Sequence, residues 1–423
     1  MIQTESLRQY VHEFVKVNGG LHCYALAGWL LFLVSPYLLD SFGKVGVVFY
    51  FGCALPWLFL LPRIGRTFIF RWKNQPSMNL YWVTFCVYLS CSTIWYENAT
   101  VDGTLQGLRY LLFVLCYLSL SVYLLERYQG LLSIAIKLLI CVTALHAIYS
   151  LLHLEELLTE LGRMQGAGAI WNELVAGNAY ALAAVATVHY LIVAPQRPQL
   201  LKSFEKLLFL VLLLCLVVGV YFTGSRSSGL AAVFVILLML YMHIEAKRRL
   251  QYRILVILVA GGAFLMISLL APEYFSVLYE RGLSFRPDIW SYVIEETAPH
   301  WLFGQGYHSE ADIPIHNGSV LVGHAHSLYL SVYRFSGLLG LGTLVILLFL
   351  TIARKIRGNN AWKEDVTLWI FLFALLVCVV NGSYPIDRPG WIWLVFWIPL
   401  VLILANPDQS SPNLSRQSGQ ALP

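Results

Sequence analysis

Residues 300–341 read HWLFGQGYHSEADIPIHNGSVLVGHAHSLYLSVYRFSGLLGL and hold five of the eleven histidines in the chain. The stretch passes from a polar loop into an apolar helix through Gly323-His324-Ala325-His326-Ser327. On either side of it, most of the chain is apolar enough to cross a membrane. A histidine-rich loop at the mouth of a membrane helix is therefore the first place where chemistry is expected.

The composition predicts an all-α polytopic membrane protein. The 423 residues are 58% hydrophobic and 12% charged, and the mean hydropathy is +0.69. A soluble domain has about 25% charged residues. The partners expected from this composition are membrane lipids, and no nucleic acid is expected.

About twelve apolar runs have the length that crosses a bilayer at 1.5 Å per residue. Their predicted bounds are 21–39, 45–62, 79–95, 105–125, 131–152, 168–194, 207–223, 228–244, 254–271, 327–352, 366–381 and 391–405. Nine spans therefore precede a long loop at residues 272–326, and three follow it. Loops of this length are usually functional. A polar, Ser-rich tail at 406–423 is predicted to be disordered.

The distribution of Lys and Arg predicts the orientation. If both termini are cytoplasmic, most of the 28 basic residues lie on the cytoplasmic side of the membrane. This is the distribution that the positive-inside rule describes. The loop at 272–326 then lies outside. Within it, the spacing of Ile289, Trp290, Val293 and Ile294 predicts an amphipathic helix that ends near Pro299. A second, shorter interfacial helix is predicted from the leucines between Leu154 and Leu161.

Eight basic residues fall at outer helix ends or in outer loops on this topology, and all but one are arginine. They are Lys44, Arg109, Arg163, Arg226, Arg281, Arg286, Arg334 and Arg388. The planar guanidinium binds phosphate in a bidentate manner and stays charged when partly desolvated. The set favours an anionic ligand such as a diphosphate head group. The alternatives are that Arg226 snorkels from a helix end, that Arg163 pairs with Glu155, Glu156 or Glu160, and that Arg281 and Arg286 form structural salt bridges.

His324 and His326 are open to three interpretations. Alternate residues just before a helix can point to opposite sides. The pair would therefore make a poor metal site without further ligands. Either can be a hydrogen-bonded structural residue at the membrane boundary. Either can also act as a general base, since imidazole titrates near neutral pH. The competing bases are Asp288, Glu295, Glu296, Glu310 and Asp312.

An ordered set of short motifs resembles the O-antigen ligase and O-antigen polymerase superfamily of bacterial envelopes. The motifs are Gly162-Arg163 with Asn172 and Gly177, Thr223-Gly224-Ser225-Arg226, Arg286-Pro287-Asp288-Ile289-Trp290, Leu302-Phe303-Gly304-Gln305-Gly306, His324-Ala325-His326-Ser327-Leu328-Tyr329-Leu330 and Gly337-Leu338-Leu339-Gly340. The resemblance covers roughly residues 160–345, while the first five helices match only in hydropathy. One departure is Ser327, where Asn is common.

The resemblance implies a GT-C-like inner-membrane glycosyltransferase that needs no cofactor or metal and has its active site in the periplasm. Such an enzyme moves glycan from undecaprenyl diphosphate to an acceptor, which for a ligase is the lipid A-core. His326 is the implied catalytic residue. The implied donor-binding residues are Arg163, Arg226 and Arg286, and Arg281, Arg388 and His324 are further candidates. A polymerase with a lipid-linked acceptor is the nearest alternative, and a transporter of an anionic lipid or solute is another.

Overall fold

The structure is a computed structural model that describes residues 19–74, 78–95, 100–128, 130–160, 162–193, 199–243, 285–307, 312–315, 320–357 and 360–405. The predicted span at 254–271, Arg281 and the tail at 406–423 lie outside these residues. The twelve-span count and the four-part division at 271, 326 and 405 therefore stay predictions.

The described chain is built of helices. They are α1 (Gly20–Leu38), α2 (Phe42–Phe49), α3 (Leu55–Asn74), α4 (Met78–Cys91), α5 (Val101–Arg127), α6 (Leu131–Leu152), α7 (Leu154–Leu157), α8 (Glu173–Ile192), α9 (Gln199–Thr223), α10 (Arg226–His243), α11 (Arg286–Thr297), α12 (Leu328–Ile356), α13 (Val366–Val380) and α14 (Ile398–Ala405). A π-helical turn, Tyr50–Ala54, joins α2 to α3, and another, Trp393–Trp397, precedes α14.

Eight helices of the described ranges are long and apolar enough to cross a membrane, which agrees with an all-α polytopic membrane protein. They are Gly20–Leu38, Phe42–Arg66, Val101–Arg127, Leu131–Leu152, Glu173–Ile192, Ser203–Thr223, Arg226–His243 and Leu328–Ile356. Val366–Val380 and Trp393–Ala405 are shorter apolar helices at two further predicted spans.

Helix α8 lies at the centre of the bundle and packs against α6, α9, α10 and α13. Its buried residues include Ala176, Ala179, Ala183 and Ala186, which repeat every three or four positions. Side chains this small let neighbouring helix backbones approach closely, which is how helices associate where lipid removes the hydrophobic driving force. The helix begins at Glu173, not at the predicted residue 168. The preceding segment instead enters the bundle, where the amide of Ala169 donates to the carbonyl of Leu39 at 2.7 Å.

The predicted interfacial helix is shorter than its leucine pattern suggests. Helix α7 ends at Leu157, and Leu158 forms an isolated β-bridge with Met164. The chain reverses there through Gly162, whose φ of +66° suits glycine. This reversal brings the following residue, Arg163, back toward the bundle.

The predicted outer loop, residues 272–326, contains the predicted helix α11, followed by a 3-10 turn, Ala298–His300. Ile289 and Val293 are buried, whereas Ile294 is half exposed. The loop also contains a two-stranded antiparallel sheet that the sequence analysis did not predict, formed by β1 (Ile313–Ile315) and β2 (Val320–Val322). The side chains of Ile289, Val293, Ile313 and Ala325 form a small separate core beneath it.

Helix α12 is broken at Gly337, where the predicted span is continuous. Gly337 has φ +61° and ψ −162°, so the amides of Leu338 and Leu339 leave the helical ladder. They donate instead to the carbonyls of Trp301 and Leu302, at 2.8 and 3.2 Å. Backbone hydrogen bonds thus attach the segment at Trp301 and Leu302 to the break in the helix.

The Gly337→Ala variant is expected to lower the free energy of unfolding by about 1–3 kcal/mol, because its backbone conformation is one that L residues avoid. A Cβ at this position would also strike the backbone of Leu302. Thermal unfolding in detergent measures the effect. Gly342→Ala is the matched control, since Gly342 lies in the same helix with nothing within 4 Å of a Cβ. An equal stability of the two variants would contradict the account of the break.

Candidate active site

His326 lies in the connection between β2 and α12 with a left-handed backbone. Its φ is +49°, and among the described residues it is the one non-glycine position with positive φ. Such a conformation costs about 1–2 kcal/mol, so its surroundings must hold it. The indole of Trp290 donates to the carbonyl of Ala325 at 3.1 Å. Ser327 caps α12 by accepting from the amide of Leu330 at 3.4 Å.

The ring of His324 lies beside that of His326, with the centroids 4.0 Å apart. The two side chains therefore do not point to opposite sides. The amide of His326 donates to Nδ1 of His324 at 3.2 Å. Within the described ranges, no group of three or more His, Cys, Asp and Glu side chains is arranged to hold a metal ion.

Burial, the neighbouring His324 and the charge of Arg286 lower the pKa of His326 to about 4. Burial also lowers the pKa of His324. Both imidazoles are therefore neutral near pH 7, the state in which a ring nitrogen accepts a proton. The influence of Arg286 means that a cationic group faces the candidate base.

Arg286 is the first residue of α11 and reaches the end of α13. Its Nε donates to the carbonyl of Val380 at 3.0 Å, and its Nη2 lies 3.5 Å from Oδ1 of Asn381. The Nδ2 of Asn381 in turn donates to Oγ of Ser227 at 3.3 Å, in the first turn of α10. A cation satisfying a carbonyl at a helix C-terminus is a favourable arrangement. The contacts fix α11 to two membrane helices.

Three arginines of the predicted set converge on one place. Burial lowers the pKa of Arg286, and the charges of Arg226 and Arg163 lower it further. Arginine nevertheless remains protonated in proteins. Like charges that influence one another repel in the absence of an anion. The arrangement is suited to a ligand with several negative charges.

Arg163 contacts both α8 and the end of α9. Its Nη1 lies 2.9 Å from Oε1 of Glu173, and its Nε donates to the carbonyl of Thr223 at 3.1 Å. The reversal at Gly162 turns this side chain toward α8, so Glu173 is a partner that the alternative pairing with Glu155, Glu156 or Glu160 did not include. Gly224, with φ +59°, lies against this guanidinium, and a Cβ there would come within 3.2 Å of its Nε.

Arg226 opens α10 directly after this turn. The turn packs against α8 at Gly177, where a Cβ would collide with Ser225 and Thr223. Oγ of Ser228 joins the turn to α8 through Oγ of Ser225, at 2.6 Å, and Oδ1 of Asn178. The first amides of a helix have no partners within it and favour anions. The N-terminus of α10 therefore adds to the positive potential of the arginines.

The other outer basic residues lie elsewhere or have structural partners. Arg388 is exposed, and its amide donates to the carboxylate of Asp387 at 2.6 Å. Arg334 is buried and pairs with Glu296 at 3.1 Å, which joins α12 to α11. Lys44 pairs with Asp40 at 2.7 Å. The structure thus brings together Arg163, Arg226, Arg286, His324 and His326, and it does not bring Arg388 into contact with them.

Sequence reasoning missed the residues that hold the charged groups in position. Glu173 and Asn381 lie at the ends of α8 and α13, and Trp290 holds the carbonyl of Ala325. The sequence pattern that could have identified Glu173 and Asn381 is a polar residue near the outer end of a predicted span. Such residues are also common helix caps, so the signal alone does not identify a site.

Residues 209–345 match the family model of the O-antigen ligases. The matched region contains Arg226, Arg286 and His326. An O-antigen ligase of Pseudomonas aeruginosa is 27% identical over 417 residues, which cover 96% of this chain and 95% of that protein. The similarity thus extends beyond the region that carries the motifs, into the first five helices. These matches show that the chain is similar to the O-antigen ligases, both in the region that carries Arg226, Arg286 and His326 and over nearly its full length.

Proposed function

We propose that this enzyme transfers O-antigen glycan from undecaprenyl diphosphate to a hydroxyl of the lipid A-core, on the periplasmic side of the bacterial inner membrane. The observation that carries the proposal is the pairing of a neutral histidine with a group of arginines. His326 has its pKa lowered to about 4 by burial, His324 and Arg286. A base and an anion site are therefore adjacent.

The reaction needs a base on the acceptor side. The imidazole of His326 takes the proton of the acceptor hydroxyl while that oxygen bonds to the anomeric carbon. The bond between this carbon and the diphosphate oxygen breaks, and its electron pair leaves with undecaprenyl diphosphate. The proton on His326 is then released to water. A single displacement without a protein nucleophile inverts the configuration at the anomeric carbon.

The leaving diphosphate needs positive charge where its own charge develops. Arg163, Arg226 and Arg286 provide preorganised donors, and the N-terminus of α10 adds backbone amides. Electrostatic stabilisation of this kind is commonly the largest contribution to catalysis. On this proposal the arginines perform the role that a divalent cation has in other diphosphate enzymes, so the reaction is metal-independent.

Orientation is supported by the distribution of basic residues. With both termini in the cytoplasm, the loop that carries α11 and His326 faces the periplasm. Lipid-linked glycan and lipid A-core would then meet in the outer leaflet of the inner membrane. The relative whose name is O-antigen ligase aligns over 95% of its own length, which favours ligation over polymerisation.

A transporter is the alternative from another class. Transporters commonly place coupling charges near the bilayer midplane. Lys137 falls within the predicted span 131–152, and its Nζ pairs with Glu205 of α9 at 3.0 Å. This pair involves none of the three converging arginines, which favours an enzyme whose chemistry is at the outer face.

Deleting the protein in its native host is expected to remove the entire ladder of O-antigen lengths from lipopolysaccharide gels, while lipid A-core remains. A ligase is the last step, so its loss leaves every polymer length unattached. A single-repeat band would instead indicate a polymerase. An unchanged ladder would rule out both. Complementation with the wild-type chain is the control.

A further inference from the structure

The contact between His324 and the backbone of His326 assigns a role that differs from substrate binding. We propose that His324 is a positioning residue whose Nδ1 accepts the amide N–H of His326 and holds the left-handed turn that aims the imidazole of His326. The inference rests on the proposed role of His326 as the base. It goes further by naming the side chain that keeps the base in place.

The first observation is the hydrogen bond itself, from the amide of His326 to Nδ1 of His324 at 3.2 Å. A backbone amide can only donate, so Nδ1 is unprotonated and the neutral ring carries its proton on Nε2. The bond runs from a side chain to the amide two residues later. This is the pattern of an Asx turn, formed here by a histidine.

The second observation is the backbone of His326, with φ +49°. The contacts on either side act on neighbouring residues, since Trp290 holds the carbonyl of Ala325 and Ser327 caps α12. His324 is the described side chain that bonds to the amide of His326 itself. Without this bond, relaxation to an ordinary φ would swing the imidazole away from Arg286.

The geometry separates the two ring nitrogens of His324. The Nδ1 is three bonds from Cα, the same separation as the side-chain oxygen of asparagine. The Nε2 is four bonds away and corresponds to the terminal amide of glutamine. Asparagine can therefore replace the acceptor to the backbone, and glutamine can replace a donor to substrate.

The test uses His324→Asn, His324→Gln and His324→Ala in the full-length enzyme, with undecaprenyl diphosphate-linked glycan and lipid A-core as substrates. His324→Ala and His324→Gln are expected to lower kcat by about 10- to 100-fold, the effect of a misplaced catalytic group, with an unchanged KM for the donor. His324→Asn is expected to keep most of the wild-type kcat. Amide hydrogen exchange at His326 should be slow in the wild type and His324→Asn and faster in His324→Gln.

Three outcomes would overturn the proposal. Activity restored by glutamine but not by asparagine would make Nε2 a substrate contact. A raised donor KM at wild-type kcat would do the same. A wild-type kcat in both His324→Ala and His324→Gln would remove any role.

If His324→Ala does not fold, the Asn and Gln variants decide. A fully active His326→Ala variant would instead refute the proposed base, and the exchange measurement would still report the turn.

Discussion

The His326→Ala variant is expected to lower the rate of glycan transfer by about 10²- to 10⁴-fold, the usual contribution of a general base. The alanine cannot take the acceptor proton, while Arg163, Arg226 and Arg286 remain to bind the donor. The measurement is the initial rate with purified enzyme in detergent or liposomes. His300→Ala is the matched control, because His300 is an exposed histidine of the same loop and is expected to keep the wild-type rate. A wild-type rate in His326→Ala would remove the base from the mechanism.

The pH profile tests the same residue without a substitution. The pKa of His326 is about 4 because of burial, His324 and Arg286. A lowered pKa keeps the neutral, basic form above about pH 4 and loses it as the pH falls through that value. The kcat/KM, which reports the free enzyme, should therefore change little between pH 7.5 and 5.5. A base with the ordinary histidine pKa of about 6.5 would lose about tenfold over this interval.

Hydropathy predicted the membrane helices well because a bilayer fixes their length and composition. Residues 131–152 were predicted as a span, and α6 occupies Leu131–Leu152. The errors arise where the backbone departs from regular helix within an apolar sequence. Gly337 is flanked by residues typical of a membrane helix, and its break depends on hydrogen bonds to Trp301 and Leu302. No local pattern encodes a contact with a loop more than thirty residues away.

The chemical types at the candidate site could be proposed from the sequence, but the residues that support them could not. An excess of arginine over lysine at outer positions indicated an anionic ligand, and the family resemblance selected His326 among five histidines. The partner of Arg286 could not be read in this way. Asn381 is 95 positions from Arg286, and the meeting of the two depends on how α10, α11 and α13 pack. The pairing of Arg163 with Glu173 likewise follows from the chain reversal at Gly162.

Two of the three arginines are held in defined orientations by bonds to the backbone. Each of Arg163 and Arg286 uses its Nε to bond a carbonyl, that of Thr223 or Val380. Both carbonyls belong to the last residue of a helix, α9 or α13, where the ladder leaves acceptors unsatisfied. The guanidinium groups are thereby oriented before any anion arrives. Such preorganisation reduces the cost of ordering side chains on binding.

The Arg286→Lys variant is accordingly expected to lose nearly as much activity as Arg286→Ala, with kcat/KM reduced by about 10²- to 10³-fold, the effect of removing a preorganised donor to developing charge. A guanidinium has five N–H groups in a fixed plane, and Arg286 directs two of them to Val380 and Asn381. The others can serve the diphosphate. An ammonium carries three N–H donors on one nitrogen, so it lacks the parallel pair of N–H groups that a guanidinium offers to an anion while it also holds the helix end. Retention of charge alone is therefore not expected to restore function.

The matched control is Arg388→Lys, which changes an exposed arginine of the same predicted face that has contact with Asp387. This variant is expected to keep the wild-type kcat/KM. The thermal unfolding of Arg286→Lys, Arg286→Ala and Arg388→Lys should be compared. If all three unfold at similar temperatures, a loss of activity reflects weaker binding of the donor and not detachment of α11. An Arg286→Lys enzyme with more than half of the wild-type activity would mean that a point charge suffices and that the bonds to Val380 and Asn381 serve packing alone. A loss in Arg388→Lys equal to that in Arg286→Lys would extend the anion site to the loop after α13.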